Sequence, residues 1–358
     1  MNGVLAQLRL DDVLRQARLQ RASDVHLVPQ IPATMRIDGE LRARSTAVVP
    51  AEDIEEILSL CLNERARARL RSNGDASMTY RDVEAGSARI HAYRISGGHA
   101  LAIRMLAETI PTFEELGLPG VVATFVERRH GLLIFSGPTG SGKSTALAAF
   151  VGRINRTHAK HIITIEDPIE YRHQSDKSLV SQREVGADVS SFSDALMGAL
   201  RSDPDVILLG EMRDRATIAS ALTAAETGHL VLATLHTGNA PEAIDRIVGA
   251  FAGQMQDQVR MQLAQSLAGV ICLRLVARRG AQGRSSASEV LVANDAVRSV
   301  IREAKVHQLR NIIATGRPAG MQTLESALND RLVHDEITYE EALRAANLPA
   351  EIRSVRVA

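Results

Sequence analysis

Nine consecutive residues, Gly137-Pro138-Thr139-Gly140-Ser141-Gly142-Lys143-Ser144-Thr145, have the spacing G-x-x-x-x-G-K-[ST] of a loop that cradles phosphate. Glycines let successive backbone N–H groups converge on phosphate oxygens. A helix that begins inside the loop adds the positive end of its dipole. Lys143 would reach the outer phosphates of a nucleoside triphosphate, and the Ser144 hydroxyl would ligate Mg²⁺. Lysine otherwise occurs only at Lys160, Lys177 and Lys305, so the chain uses arginine almost wherever charge alone suffices.

Such a loop needs a strand before it and a helix after it. Leu132 to Phe135 is a strand-sized apolar run, and Ser144 to Asn155 has helical patterning. Further strand-like runs at His161–Ile165, Val206–Leu209 and Leu230–Thr234 alternate with helical stretches at Ser193–Arg201 and Asp214–Thr227. Continuous apolar strands alternating with helices predict a parallel sheet covered on both faces, whose strand ends open on one crevice. After His161–Ile165 come Glu166, Asp167 and Glu170, three carboxylates suited to meeting cations or activating water. After Val206–Leu209 comes Gly210 where a nucleotide-binding strand usually ends in aspartate, and Glu211 is the nearest carboxylate. His229 and His236 flank the strand at Leu230–Thr234. Singly, strand-end histidines are ordinary; beside a phosphate loop they are candidates to sense the γ-phosphate or the attacking water.

The first ~107 residues differ in pattern. A helix over the first 20 or so carries Leu5, Leu8, Leu14 and Ala17, and Asp24–Leu27 and Thr34–Ile37 are short strands. Asp38-Gly39 signals a hairpin, Ala51–Arg71 a helix, and Ser77–Arg81, Ala88–Arg94 and Leu101–Leu106 antiparallel strands. The pattern predicts an α+β domain at 1–107, a Pro/Gly linker at 108–120, and an α/β domain at 121–358 whose part beyond Ala240 is almost entirely helical. With 42 basic against 42 acidic residues in 358, the chain lacks the basic excess of a dedicated nucleic-acid binder. No apolar run approaches the ~18 residues of a membrane span, and the charged N-terminus does not resemble a signal peptide. The two cysteines, Cys61 and Cys272, exclude a disulfide framework or a cysteine-based zinc site. A cytoplasmic location is expected.

Nearly the whole chain, from about Ala22 to Ala346, resembles the secretion ATPase superfamily of type II secretion and type IV pili, and within it the pilus retraction motors (PilT-like). Ala22-Ser23-Asp24-Val25-His26-Leu27 resembles the N-terminal signature, and Ile165-Glu166-Asp167-Pro168-Ile169-Glu170-Tyr171 the Asp box. Asp203–Val206 through Gly210–Asp214 resembles the atypical Walker B segment. Thr223–His229 through Thr234–Thr237 resembles the His box. Ala296–Glu303 and Gly320–Leu324 approximate two C-terminal signatures.

The resemblance implies a homohexameric ring. Each subunit would carry a PAS-like domain and a RecA-like P-loop NTPase domain, with ATP between them and hydrolysis moving one against the other. It assigns Glu211 to the Walker B position near Mg²⁺, Glu170 to the base that orients water, and His229 and His236 to the His box. Arg89, Arg94 and Arg104 stand at or near positions that send arginines to the phosphates. The family's Arg-Phe-Arg-Val-Asn is Ser87-Ala88-Arg89-Ile90-His91 here, so which arginine acts stays open. The implied partners are an inner-membrane platform protein of the pilus machinery, to which the motor would attach peripherally, and a paralogous motor ATPase. Pilus assembly and type II secretion ATPases usually carry a four-cysteine zinc module, which this chain lacks. The alternatives are an assembly or secretion ATPase without that module, or an accessory subunit that only binds nucleotide.

Overall fold

The computed structural model describes residues 2–37, 40–82, 86–106, 109–280 and 283–354, without the side chains of 2–9 and 82. The chain divides into two compact units, Met1–Thr109 with Glu170–Arg172, and Ile110–Ile169 with His173–Ala358.

The first unit contains α1 (Asn2–Leu19), β1 (Asp24–Leu27), β2 (Pro32–Ile37), β3 (Glu40–Val48), α2 (Ala51–Cys61), α3 (Glu64–Asn73), β4 (Asp75–Asp82), β5 (Gly86–Ile95) and β6 (Gly98–Met105). Its strands form an antiparallel sheet in the order β3-β2-β1-β6-β5-β4. Side chains alternate between faces, as a strand's period of two requires. Ala88, Ile90, Ala92, Leu101, Ile103 and Val25 turn inward against Leu10, Leu14 and Ala17 of α1 and Ile54 and Leu58 of α2. On the opposite parity Arg89 stands across from Arg104, Arg104 from Asp24, and Asp24 from Arg36. The helix expected over 51–71 is two helices, because Asn63 accepts from Ala66 N at 2.8 Å and caps a second start. β3 is the strand that the Asp38-Gly39 signal implies, but its extent is not legible in the sequence; it is exposed throughout, so it carries no alternating signal. The expected Asp38-Gly39 turn lies outside the described residues, as do Leu5 and Leu8 as side chains.

The second unit begins with α4 (Phe113–Leu116) and α5 (Gly120–Thr124), followed by β7 (Gly131–Ser136), α6 (Lys143–Thr157), β8 (His161–Glu166), β9 (Leu179–Glu184), α7 (Phe192–Ala199), β10 (Val206–Leu209), α8 (Arg215–Glu226) and β11 (Leu230–Leu235). It continues through α9 (Ala240–Gly249), α10 (Gly253–Ser266), β12 (Leu267–Ala277), β13 (Arg284–Val292), α11 (Asp295–Arg302), α12 (Leu309–Thr315), α13 (Leu324–Val333) and α14 (Tyr339–Ala345). The sheet order is β13-β12-β7-β11-β10-β8-β9, parallel except for the β12–β13 pair. Every residue of β7, β10 and β11 is buried, because helices cover both faces. Leu133, Phe135 and Leu232 meet α6 through Leu147, Phe150 and Val151, while Ile134, Leu209 and Ala233 share a core with residues of α7 to α10.

Two expectations need correction. The part beyond Ala240 is not almost entirely helical: β12 and β13 extend the sheet. Leu267–Val276 is a nearly continuous apolar run after a helix, and periodicity alone does not separate a buried strand from a buried helix. Within the expected linker, Thr112 and Glu115 cap α4 reciprocally, at 2.7 and 3.2 Å, and Phe113 is buried 5.9 Å from the Phe150 ring. Ala107 and Glu108 lie outside the described residues.

β12 passes close to Phe125, which opens the turn after α5. A Cβ on Gly269 would stand 2.7 Å from Phe125 Cζ and 2.8 Å from Leu291 O. Gly269→Ala is therefore expected to lower stability by about 1–3 kcal/mol through overpacking. The check is a lower denaturant midpoint at unchanged slope.

Candidate active site

The loop after β7 turns on glycines at positive φ: Gly137 (141°), Gly140 (78°) and Gly142 (93°). A Cβ on Gly137 would come within 2.5 Å of both Leu273 O and Ser141 Oγ, so only glycine fits. Gly142 leads directly into α6, aiming that helix's N-terminus at the concavity. Ser141 Oγ is buried with no hydrogen-bond partner. A nest of N–H groups, a helix N-terminus and an orphaned hydroxyl fit a polyphosphate. Lys143 is buried, and its Nζ donates to Gly137 O at 2.8 Å and Pro138 O at 3.0 Å. Pro138, Thr139, Ser144 and Thr145 occupy the loop and the first turn of α6.

β11 lies between β7 and β10, so the turn after it stands between the phosphate loop and the segment carrying Glu211. His236 bridges the two: Nδ1 is 3.5 Å from Lys143 Nζ and Nε2 is 3.4 Å from Glu211 Oε1. An ammonium has only protons to offer and a carboxylate only lone pairs, so this bridge suits the neutral Nε2–H tautomer. Glu211 Oε2 accepts from Arg213 Nε at 2.6 Å, and Arg213 Nη1 is 3.5 Å from Asp167. The hydrogen bond to Glu211 holds the guanidinium pKa above its ordinary value. The turn itself is pinned from below. Ser136 Oγ, at the end of β7, accepts from Thr237 N at 3.0 Å and lies 2.6 Å from Thr237 Oγ1, while Thr234 Oγ1 donates to Gly210 O.

Gly210, where the usual aspartate would stand, is closely packed. A Cβ there would stand 3.3 Å from Glu166 Cα and Ile165 O. Glu166 Oε1 accepts from Thr164 Oγ1 at 2.7 Å and Gln182 Nε2 at 3.1 Å. Asp214 caps α8 through Thr217 N at 2.9 Å. Glu170 is exposed in the loop after β8.

Lys143, Glu211 and His236 are brought together; His229 is not brought to them. It precedes β11, whose partner there is the start of β7, so it lies at the opposite strand end, about 20 Å of rise away. Its Nδ1 lies 3.0 Å from Ala224 O, at the end of α8. Arg89, Arg94 and Arg104 belong to the antiparallel sheet of the first unit. Arg104 Nε donates to Asp24 Oδ1 at 3.0 Å, and Arg94 Nη2 to Arg71 O at 2.9 Å at the end of α3. Of the C-terminal segments, Ala296–Glu303 runs through α11, where Arg298 donates to Gln265 O at 2.7 Å and Leu267 O at 3.1 Å and closes the end of α10. Thr323 caps α13 through Ser326 N at 3.2 Å. Ser136, Thr237 and Arg213 were missed as site residues. A polar residue ending an all-apolar strand was the available signal for Ser136.

The strand order and the phosphate loop define the second unit as a RecA-like P-loop nucleotide-binding fold. Residues 2–344 match the family described as Type II/IV secretion system protein, and the chain belongs to that family of secretion and pilus ATPases. It is 40% identical over 334 residues to a twitching motility protein of Neisseria gonorrhoeae, covering 93% of this chain and 89% of the relative. It is 39% identical over 340 residues to the type IV pilus retraction ATPase PilT of Pseudomonas aeruginosa, covering 95% and 98% respectively. A crystal structure of the pilus retraction motor PilT with bound ADP superposes with a TM-score of 0.89 at 41% identity, covering 95% of this chain and 98% of that one.

Lys143→Ala removes the ammonium closest to the nest and is expected to lower ATP turnover ~10²–10³-fold. The freed Gly137 and Pro138 carbonyls cost about 1–3 kcal/mol, too little to unfold the unit. ATPase rate and thermal unfolding are measured together. Near wild-type turnover would exclude this loop as the catalytic one.

Proposed function

We propose that this chain is an Mg²⁺-dependent, ATP-hydrolysing hexameric motor that powers type IV pilus retraction. The observation that carries the reading is the Lys143–His236–Glu211 bridge at the phosphate loop of a chain 39% identical to a retraction ATPase. The cysteine count of two supports retraction over assembly, whose ATPases usually carry the four-cysteine zinc module. The motor would work at the cytoplasmic face of the inner membrane on a platform protein of the pilus machinery, alone or with a paralogous motor ATPase. Among the described residues no helix is long and apolar enough to cross a membrane.

Phosphoryl transfer is catalysed by positioning and by neutralising charge. Lys143 would hold the outer phosphates against the loop's N–H groups. Ser144 and Glu211 would hold Mg²⁺, Glu211 through water. The metal supplies charge neutralisation across the phosphates when bound. Glu170 would orient the attacking water and take up its proton, and His236 would register the γ-phosphate through its place between Lys143 and Glu211. His229 would serve the same cycle from the other end of β11. Arg89, Arg94 and Arg104 would offset charge that develops in the transition state.

Glu170→Gln and Glu211→Gln are each expected to keep ATP binding and lose ~10²–10⁴-fold in hydrolysis. Filter binding and single-turnover hydrolysis separate the two effects. An unchanged kcat in Glu170→Gln would move the base to Glu166. At least one of Arg89→Ala, Arg94→Ala and Arg104→Ala should lower kcat more than affinity, because a finger acts mainly in the transition state. ATPase activity per subunit should rise with protein concentration as rings form, which sedimentation with Mg-ATP checks. Deletion of the gene should give hyperpiliated cells; bald cells would indicate assembly instead.

A further inference from the structure

The turn that carries His236 is followed by backbone N–H groups that α9 cannot pair within itself. Asn239 Oδ1 accepts from Glu242 N at 2.9 Å, and Glu242 Oε2 accepts from Gly238 N at 2.8 Å, a reciprocal cap local to the turn. The N–H of Ala240, the first residue of α9, is held from elsewhere. It donates at 2.7 Å to Glu289 Oε1, which projects from β13 and is 4% exposed. Glu289 stands opposite Cys272 on β12, which stands opposite Ser136 on β7. Ser136 holds Thr237 N on the near side of the same turn. The His236 turn is thus fixed by β7 on one side and by β13 on the other.

We propose that Glu289 is a positioning residue for His236: its buried carboxylate holds the first N–H of α9 and thereby sets where the His236–Thr237 turn stands against Lys143 and Glu211. The inference rests on the ATP-hydrolysing reading of the site. Glu289 faces Glu242 from α9, Cys272 from β12, Glu325 from α13 and Arg310 from α12, and Arg274 of β12 acts on Cys272 beside it. Arg310 is shared with Glu325 at 3.2 Å and Glu351 at 2.8 Å. Burial, and then Glu325 and Glu242, push the Glu289 carboxyl up to about 7, against the pull of the Ala240 N–H and Arg310. Above that pH the group is ionised and its bond to Ala240 is charge-assisted, roughly twice as strong as a neutral one. Below it the carboxyl is neutral and the bond loses that charge assistance.

The sign of the stability effect runs opposite to that of the activity. A folded-state pKa raised from 4.5 to about 7 means that ionised Glu289 costs stability as the pH rises through about 7. Glu289→Gln removes that cost while keeping an acceptor for Ala240 N–H. At pH 8 the variant should melt at or above the wild-type temperature, yet its kcat should fall about three- to tenfold with KM for ATP within twofold. Its kcat ratio between pH 8 and pH 6 should be smaller than the wild type's. Glu289→Leu, which removes the acceptor, should lose more kcat and speed hydrogen–deuterium exchange in peptides spanning residues 235–245. Wild-type kcat and pH profile in Glu289→Gln, or kcat and melting temperature falling together there, would overturn the proposal. Exchange is read without nucleotide, so unchanged exchange in Glu289→Leu overturns it even if the wild-type chain hydrolyses nothing. Absent hydrolysis in the wild type sinks only the functional reading on which it rests.

Discussion

Parallel strands cannot be joined by a tight hairpin; each must be reached through a crossover, and the carboxyl ends of β7, β11, β10 and β8 therefore open on one edge of the sheet. That constraint gathers residues more than 90 positions apart, such as Lys143 and His236, which lie 3.5 Å apart across it. It also dictates the order in which they meet. β11 is interposed between β7 and β10, so the histidine that ends it must stand between the lysine of the phosphate loop and the glutamate after β10. The same crossovers bury both faces of the central strands, which is why they are apolar throughout and why function is confined to their ends.

The groups at that edge alternate in sign. Lys143 meets His236, His236 meets Glu211, Glu211 meets Arg213, and Arg213 meets Asp167. Most of these side chains are half-buried or exposed, and exposed ion pairs contribute little to stability, typically under about 1 kcal/mol. The exposed pairs of the row, Glu211–Arg213 and Arg213–Asp167, therefore add little to stability. Rigidity comes instead from beneath, where buried Ser136 and Thr234 tie the backbone of adjacent strand ends together.

The phosphate loop and the four central strands were legible because each carries a signal that needs no partner: a glycine–lysine spacing, or an unbroken apolar run. What the sequence hid depended on tertiary neighbours. β3, exposed on every residue at the sheet edge, has no alternation to detect. β12 looks like a continuation of the helices before it, and β13 mixes serines with apolar residues because Ser285 and Ser288 are buried by packing that no local pattern reports. His229 reads as a companion of His236 because the two flank one strand in sequence, seven residues apart. Seven residues of strand carry the chain across the whole sheet, whereas two turns of helix would have kept them on one face.

The buried carboxylates of the second unit follow a single rule. Burying a charge without partners is costly, yet Glu289 and Glu325 both lie inside. Each stands where an irregular segment leaves N–H groups that neither helix nor sheet can pair. Glu289 accepts from Ala240, and Glu325 accepts from Asn347 at 3.0 Å and Leu348 at 2.9 Å while pairing with Arg310. An apolar residue at either place would orphan those donors, at about 1–3 kcal/mol for each buried group. The carboxylates thus exchange a desolvation cost for satisfied backbone. The turn behind His236 and the segment after α14, which meet where Asn347 Nδ2 lies 3.5 Å from Gly238 O, are held by neighbouring members of one polar cluster. The end of the sheet where nucleotide chemistry is proposed and the helices that close the chain are therefore built on adjacent supports, Glu289 and Glu325.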